Sequence, residues 1–247
     1  MNARSISVFV PIYNERESVR VIAEEIDRYL KERFQDYEIL LITSDASTDG
    51  TNEIARDLEQ KIDQLRVVSR GNDISYAGAL RTGFRSSKKD LIFFTDGDRQ
   101  FNIQELDLLL REIEHYDVVT GYKIKRNDPL MRIWMSWLYN ITMRSLFGLS
   151  LRDINCAFKL YRRCVIEAVD FLPTLTQGVI NVEVYLVAQK RGYTICEVGV
   201  HHFHRRSGFA DSEVGRRGKF IAFVRPRVIW GFIKDTLHLW KKTYARA

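Results

Sequence analysis

Short apolar runs alternating with helical stretches constrain this chain more than any other feature. Residues 5–13 (Ser-Ile-Ser-Val-Phe-Val-Pro-Ile-Tyr) have the composition of a buried strand, and a helical pattern follows from about 15 to 34. The rhythm repeats, with strands expected near 37–43, 65–69, 90–95 and 117–121 and helices near 50–61, 77–88 and 103–115. Strands this apolar are covered on both faces, so the pattern predicts an α/β fold with a mostly parallel sheet flanked by helices. In such sheets ligands bind beyond the carboxyl ends of the strands. The segments found there, 11–15, 44–50, 69–73, 96–100 and 121–126, are unusually polar. No GxGxxG follows the first strand and no GxxxxGK[ST] occurs, which argues against a dinucleotide oxidoreductase or a P-loop NTPase.

Size and composition agree with one large domain, or a domain plus an appendage. The chain has 247 residues, 45% hydrophobic and 28% charged, enough to bury a sizeable core. Its longest apolar runs, such as Ile39-Leu40-Leu41-Ile42, fall far below the roughly 18 residues of a membrane-spanning helix. Strand-like sequence begins by Ile6 with no apolar signal core before it, so export by that route is not expected. Cys156, Cys164 and Cys196 are odd in number and widely spaced, which suits a reducing compartment better than a disulfide framework.

Charge is distributed unevenly. The net +6 conceals a first 200 residues with 27 Lys or Arg against 29 Asp or Glu, and a remainder with 11 against 3. A basic end of this kind suits an anionic partner, whether membrane surface, phosphorylated substrate or nucleic acid.

The sharpest motif is Asp96-Gly97-Asp98-Arg99-Gln100 at the end of an apolar strand. Hard cations such as Mg2+ and Mn2+ take oxygen ligands, commonly one or two carboxylates plus substrate phosphates. Extended backbone places Asp96, Asp98 and Gln100 towards one side, a candidate metal site. In the second polar cluster, 44–51, Asp49 or Thr51 is expected to cap the next helix, while Asp45 lies nearer the strand end. His201, His202 and His204 alternate across an expected strand end, which separates His201 from the other two and makes a metal site there the weaker expectation.

Taken in order, Val10-Pro11-Ile12-Tyr13-Asn14-Glu15, the 44–51 cluster and Asp96-Gly97-Asp98-Arg99-Gln100 resemble the successive motifs of family 2 GT-A glycosyltransferases. The nearest group is that of dolichol-phosphate mannose synthase and the polyprenyl-phosphate glycosyltransferases. The segment 152–163 resembles that group's Asp-Pro-x-Ser-Gly-Phe-(Arg/Lys) stretch, and 178–193 with 197–208 its closing helix and basic loop. The resemblance implies a Rossmann-like GT-A domain over 1–210, followed by a basic amphipathic helical segment over 211–247. It implies that Pro11, Tyr13, Glu15, Asp45 and Asp96 hold a nucleotide-sugar, UDP- or GDP-linked, and that Asp96, Asp98 and Gln100 bind Mg2+ or Mn2+. Asp98 and Asp153 take the catalytic positions, Asp153 as a base or orienting group, and transfer inverts the anomeric carbon. Three departures stand out: Ser44-Asp45-Ala46-Ser47 replaces Asp-Asp-Gly-Ser, Gly121-Tyr122-Lys123 replaces Ser-Arg-Tyr, and Asn155-Cys156-Ala157 replaces a small polar run.

A phosphate monoester acceptor, with a second pKa near 6, is largely dianionic at neutral pH and already a nucleophile. It needs cations to hold it more than it needs a strong base. Lys123, Arg126, Arg132, Arg205 and Arg206 are the candidates for an acceptor-phosphate cradle. The expected acceptor is a polyprenyl phosphate at the cytoplasmic face of a membrane, with a glycan or other soluble acceptor as the alternative. Two helical patterns bear on this. Between 130 and 147, Arg132, Ser136, Asn140 and Arg144 form a narrow polar stripe beside Trp134 and Trp137; after Pro226, the residues Ile229, Ile233, Leu237 and Trp240 form an apolar stripe with basic flanks. Such stripes suit an anionic lipid interface, the catalytic domain or a second copy of the chain, and periodicity does not choose among them. A nucleic-acid-binding role is not expected, because it leaves Asp-x-Asp-x-Gln without a purpose and RNP-type aromatic motifs are missing.

Overall fold

Seven strands form one sheet in the order β3-β2-β1-β4-β6-β5-β7. The structure, a computed structural model, describes residues 5–124, 130–204 and 226–244, apart from the side chains of Arg132 and residues 226–228. The chain runs β1 (Ile6–Pro11), α1 (Val19–Lys31), β2 (Tyr37–Thr43), α2 (Thr51–Lys61), β3 (Leu65–Ser69), α3 (Tyr76–Ser86), β4 (Leu91–Thr95), a 3-10 turn (Ile103–Glu105), α4 (Leu106–Glu112), β5 (Val118–Lys123) and α5 (Leu130–Phe147). It continues through β6 (Phe158–Arg162), α6 (Arg163–Glu167), α7 (Val179–Lys190), β7 (Ile195–Val200) and α8 (Pro226–Tyr244).

Strand β1 pairs in parallel with both β2 and β4, so the chain winds outward through β2 and β3 and then crosses back to β4 through α3. This reversal opens a crevice at the carboxyl ends of β1 and β4. Only β6 runs antiparallel, between β4 and β5. The mostly parallel α/β architecture expected from sequence is the one observed. β6 was not foreseen, because Phe-Lys-Leu-Tyr-Arg alternates like a half-exposed strand although its first four residues, Lys159 included, are buried.

Side chains alternate across β1. Phe9 faces a core shared with α3, α7 and α8 and packs on Phe84 and Phe94, while Val8 and Val10 face a second core built with α1, α2 and α4. Helix α1 begins at Val19, four residues later than its apolar pattern suggests. Asn14 has a left-handed backbone (φ 53°) and the Glu15 N–H donates to Thr51 Oγ1 at 2.9 Å, so the chain leaves β1 in a turn before the helix starts.

The two stripe-bearing helices sit with their polar residues inward. On α5, buried Asn140 accepts from the Ile154 N–H at 3.1 Å through Oδ1, and Met143 and Phe147 enter the core. On α8, Asp235 is 1% exposed and accepts from the N–H groups of Thr176 and Gln177, both at 2.8 Å. Lys242 pairs with buried Glu183 of α7 at 3.0 Å. The apolar stripes therefore point outward: Trp134 is 57% exposed, Trp137 54%, Trp230 66% and Trp240 44%, and these are all the tryptophans the chain has. Helix α8 does pack on the domain, yet not by its apolar stripe. Among the described residues no helix is long and apolar enough to cross a membrane.

Loss of the Asp235 carboxylate strands two partly buried N–H donors. Asp235→Ala is expected to lower unfolding free energy by about 2 to 3 kcal/mol, measured by urea denaturation.

Candidate active site

Three loops at the carboxyl ends of β1, β2 and β4 build one side of the crevice, and the first two are bound into a unit. The Asn14 Oδ1 accepts from Ser47 Oγ at 3.1 Å and from the Thr48 N–H at 2.9 Å, while the Arg16 N–H donates to Asp49 at 3.0 Å. Burial alone would raise the Asp49 carboxyl pKa, but hydrogen bonds from the Thr51 hydroxyl and from the N–H groups of Arg16 and Thr51 hold it below the usual carboxylate range. Asp49 thus anchors the start of α2 through the Thr51 N–H, but the N-cap residue is Gly50, left-handed at φ 89°, and not Asp49 or Thr51 as expected from sequence. Tyr13 stands exposed above this unit and Pro11 ends β1 beneath it. Glu15 is buried, and the Ser18 hydroxyl donates to its carboxylate at 3.0 Å. Asp45 is exposed and accepts from Ser69 Oγ at 2.8 Å, which links the ends of β2 and β3.

Arg70, directly after β3, escaped the sequence analysis. Burial lowers its pKa, and the neighbouring Asp73 and Tyr13 oppose that effect. It brings positive charge to the β3 end of the crevice, and its place just after a strand was the signal for it.

Residues 96–100 form a turn that closes against β1, not the extended run expected to set Asp96, Asp98 and Gln100 on one side. A Cβ at Gly97 would lie 2.9 Å from both Ile12 Cγ2 and the Pro11 carbonyl, so only glycine allows this approach. Arg99 is left-handed (φ 58°); with Asn14 it makes the two non-glycine residues of positive φ among those described, and both belong to the site. The Arg99 guanidinium reaches Glu25 on α1 at 3.4 Å. Gln100 is latched to the segment after β7: its Nε2 donates to the Phe203 carbonyl at 2.9 Å, and the Phe203 N–H donates to its backbone carbonyl at 2.8 Å. This leaves Oε1 as the Gln100 atom able to meet a cation. Two carboxylates and an amide oxygen are a hard donor set that fits Mg2+ or Mn2+ shared with a diphosphate. Among the described residues no group of three or more His, Cys, Asp or Glu side chains forms a metal site by itself.

The other side of the crevice comes from β5 and the loop before β6. Lys123 Nζ lies 3.9 Å from Asp153 Oδ2, with both side chains largely buried. The Arg152 and Asp153 N–H groups donate to Glu197, and fully buried Lys159 donates to the Ile154 carbonyl and Thr120 Oγ1, each at 3.0 Å, and to the Tyr185 hydroxyl at 2.6 Å. Burial above all pushes the thiol of buried Cys156 up to about 12, with the Asp153 charge adding to the effect and Lys159 and Lys123 opposing it, so it is inert at neutral pH. Arg126, Arg205 and Arg206 lie outside the described residues, as does the side chain of Arg132. The histidines are held separately, His201 by Glu105 at 2.6 Å and His202 against the Phe101 ring.

An α/β sheet with paired carboxylates at its switch point suits a cation and a phosphate-bearing ligand, and comparison supplies the class. Residues 7–170 match the model of glycosyl transferase family 2, and the chain belongs to that family. An undecaprenyl-phosphate 4-deoxy-4-formamido-L-arabinose transferase from Photorhabdus laumondii is 30% identical over 166 residues, which cover 67% of this chain and 51% of the relative. The enzyme of that name from Yersinia enterocolitica is 27% identical over 218 residues, 85% of this chain and 62% of the relative. The chain thus spans about half to three fifths of the length of these relatives. Among solved structures, glucosyl-3-phosphoglycerate synthase from Mycobacterium tuberculosis superposes with a TM-score of 0.64 at 18% identity, over 87% of this chain and 76% of the other. A second structure of that enzyme, in complex with Mn2+, UDP and phosphoglyceric acid, gives a TM-score of 0.62 at 17% identity, over 87% and 75%. The shared fold is GT-A.

Because the Pro11 carbonyl cannot yield to an added methyl, Gly97→Ala is expected to shift Asp96 and Asp98 together. Calorimetry should find Mn2+-dependent nucleotide binding weakened about tenfold or more, with the cooperative unfolding transition retained.

Proposed function

We propose that this chain transfers a sugar from a nucleoside-diphosphate sugar to a polyprenyl phosphate at a membrane surface. The observation that carries it is the pair of inverted helices. The chain's four tryptophans stand exposed on α5 and α8, and α5 is tied through Asn140 to the loop that holds Asp153. An aromatic-rich apolar flank with a basic terminal segment suits the interface of an anionic bilayer, where a lipid acceptor would present its phosphate. The activity for which the relatives are named, transfer to undecaprenyl phosphate, agrees. Helix α8 then packs on the catalytic domain and turns a lipid-facing flank outward, which would hold the protein peripherally at the cytoplasmic face.

Donor binding falls to the β1, β2 and β3 ends. Tyr13 offers a face for the base, while Asp45 and Arg70 flank the nucleotide. Asp96, Asp98 and Gln100 would hold Mg2+ or Mn2+, whose charge stabilises the diphosphate leaving group. A phosphate oxygen of the acceptor attacks the anomeric carbon, and the bond from that carbon to the donor diphosphate breaks with its electron pair leaving on the diphosphate. No proton need move, because the acceptor is already dianionic. Lys123 steadies the incoming phosphate, and Asp153 orients Lys123.

The assay is transfer of labelled sugar to undecaprenyl phosphate, to undecaprenol and to a soluble glycan. The phosphorylated lipid should be preferred, and Asp98→Asn should abolish transfer while leaving the fold intact. Equal use of the three acceptors would sink the lipid-phosphate assignment. Membrane docking is tested on surface residues, since truncating α8 would remove Asp235 and Lys242 from their buried partners. Replacing Trp134 and Trp230 by Ser should reduce sedimentation with phosphatidylglycerol vesicles on the order of tenfold, and high salt should weaken binding of the intact chain.

A further inference from the structure

The turn that carries Asp153 is held mainly by side chains. Glu197, half-buried on β7, accepts the Arg152 N–H through Oε1 at 2.8 Å and Oε2 at 2.9 Å, and the Asp153 N–H through Oε1 at 3.2 Å. The Ile154 N–H goes to Asn140 of α5 and the Ile154 carbonyl to Lys159 of β6. Three consecutive residues are thus fixed by side chains from three separate elements.

Two of those side chains belong to one row across the sheet. Lys159 on β6 is paired with Thr120 on β5, and Thr120 with Glu197 on β7, so the three stand side by side on one face. Tyr185 on α7 closes the row: its hydroxyl accepts from Lys159 Nζ at 2.6 Å and donates to Thr120 Oγ1 at 3.0 Å. Tyr122, two residues beyond Thr120, lies under the Arg152 guanidinium at 4.8 Å. The same row is apolar in β4 and β1, at Phe94 and Phe9, and turns polar only where it meets the Asp153 turn. Replacing buried charges by well-packed apolar side chains is often neutral or stabilising, so stability alone does not account for the change. A carboxylate offered to N–H groups and an ammonium offered to a carbonyl do fix a loop. What they fix is Asp153, whose Oδ2 lies 3.9 Å from Lys123 Nζ. We propose that Glu197 is a positioning residue for sugar transfer, holding the Arg152 and Asp153 N–H groups so that the Asp153 carboxylate stays on Lys123. It therefore governs use of the acceptor phosphate and not binding of the nucleotide. This rests on the transferase assignment and adds a residue that acts through Asp153.

The test combines Glu197→Ala, Glu197→Gln and Asp153→Asn, singly and with Glu197→Ala in the Asp153→Asn background. Activity is transfer of labelled sugar from UDP-glucose, UDP-N-acetylglucosamine and GDP-mannose to undecaprenyl phosphate, and donor binding is calorimetry with UDP and GDP in Mn2+. Glu197→Ala should lower kcat/KM for the lipid phosphate about tenfold or more and leave diphosphate affinity within about twofold, which also shows that the variant folds. Glu197→Gln keeps Oε1 for both N–H groups and should recover most of that loss. In the Asp153→Asn background Glu197→Ala should cost no more than about twofold, because its route to the chemistry is already gone. Equal losses in both backgrounds, a Gln variant no better than Ala, or weakened diphosphate binding overturns the role. Hydrogen exchange separates it from the transferase assignment: the Arg152 and Asp153 amides should be protected in the intact chain and exchange about tenfold faster or more in Glu197→Ala. Fast exchange in an intact chain that transfers sugar overturns the clamp alone. Absence of transfer by an intact chain whose two amides are protected overturns the transferase assignment and not the clamp.

Discussion

Everything chemical in this protein depends on β1 being paired on both sides. Because β2 and β4 flank it in parallel, three strand ends finish together, and the loops that follow must share one small space. Close packing at Gly97 and the left-handed turns at Asn14 and Arg99 are the local consequences. Such conformations cost on the order of 1 to 3 kcal/mol each at a non-glycine residue and persist only where surroundings over-determine them. The hydrogen bonds that join 14–16 to 47–51 supply that surrounding order at Asn14, so strain and rigidity arrive together where a charged ligand must be held.

A second constraint shapes the flank. Helices that cover a domain ordinarily bury their apolar stripe, whereas α5 and α8 bury polar anchors beside Met143, Phe147 and Leu239 and leave the tryptophan-bearing stripe outside. The reason is visible in their inward residues. Asn140 and Asp235 each meet backbone N–H groups that no other described element satisfies, and Lys242 meets Glu183, whose burial raises its pKa. Polar anchors of this kind are worth more inside than at the surface, where water would compete. Once they fix each helix, the tryptophans have only the outside left, and a surface of that composition invites a hydrophobic partner.

Much of this was legible in the sequence. The strand rhythm gave the sheet, and Asp96, Asp98 and Asp45 fall at strand ends where the pattern put them. What stayed hidden has a common cause: it depends on which face of an element turns inward. Lys159 reads as an exposed lysine on an alternating strand, yet sits fully buried among Thr120, Ile154 and Tyr185. The stripes of α5 and α8 were visible, but not their direction, because periodicity defines a face without saying what it meets. The Asn155–Asn181 hydrogen bond joins segments far apart in the chain, and no local spacing unites them.

The sheet itself divides the labour. Its parallel half, β3-β2-β1-β4, ends in carboxylates and a tightly bound pair of loops, suited to a nucleotide and a cation. The half beyond, β6-β5-β7, ends in a lysine–carboxylate pair and leads into the outward-facing helices. β6 is the join: running antiparallel, it delivers its preceding loop, with Asp153, Asn155 and Cys156, to the same edge where β4 delivers Asp96. A parallel strand in that place would have sent the loop to the opposite edge. One reversal of direction therefore sets the loop that carries Asp153 beside the turn that carries Asp96, and Asn140 connects that meeting point to the flank that carries the tryptophans.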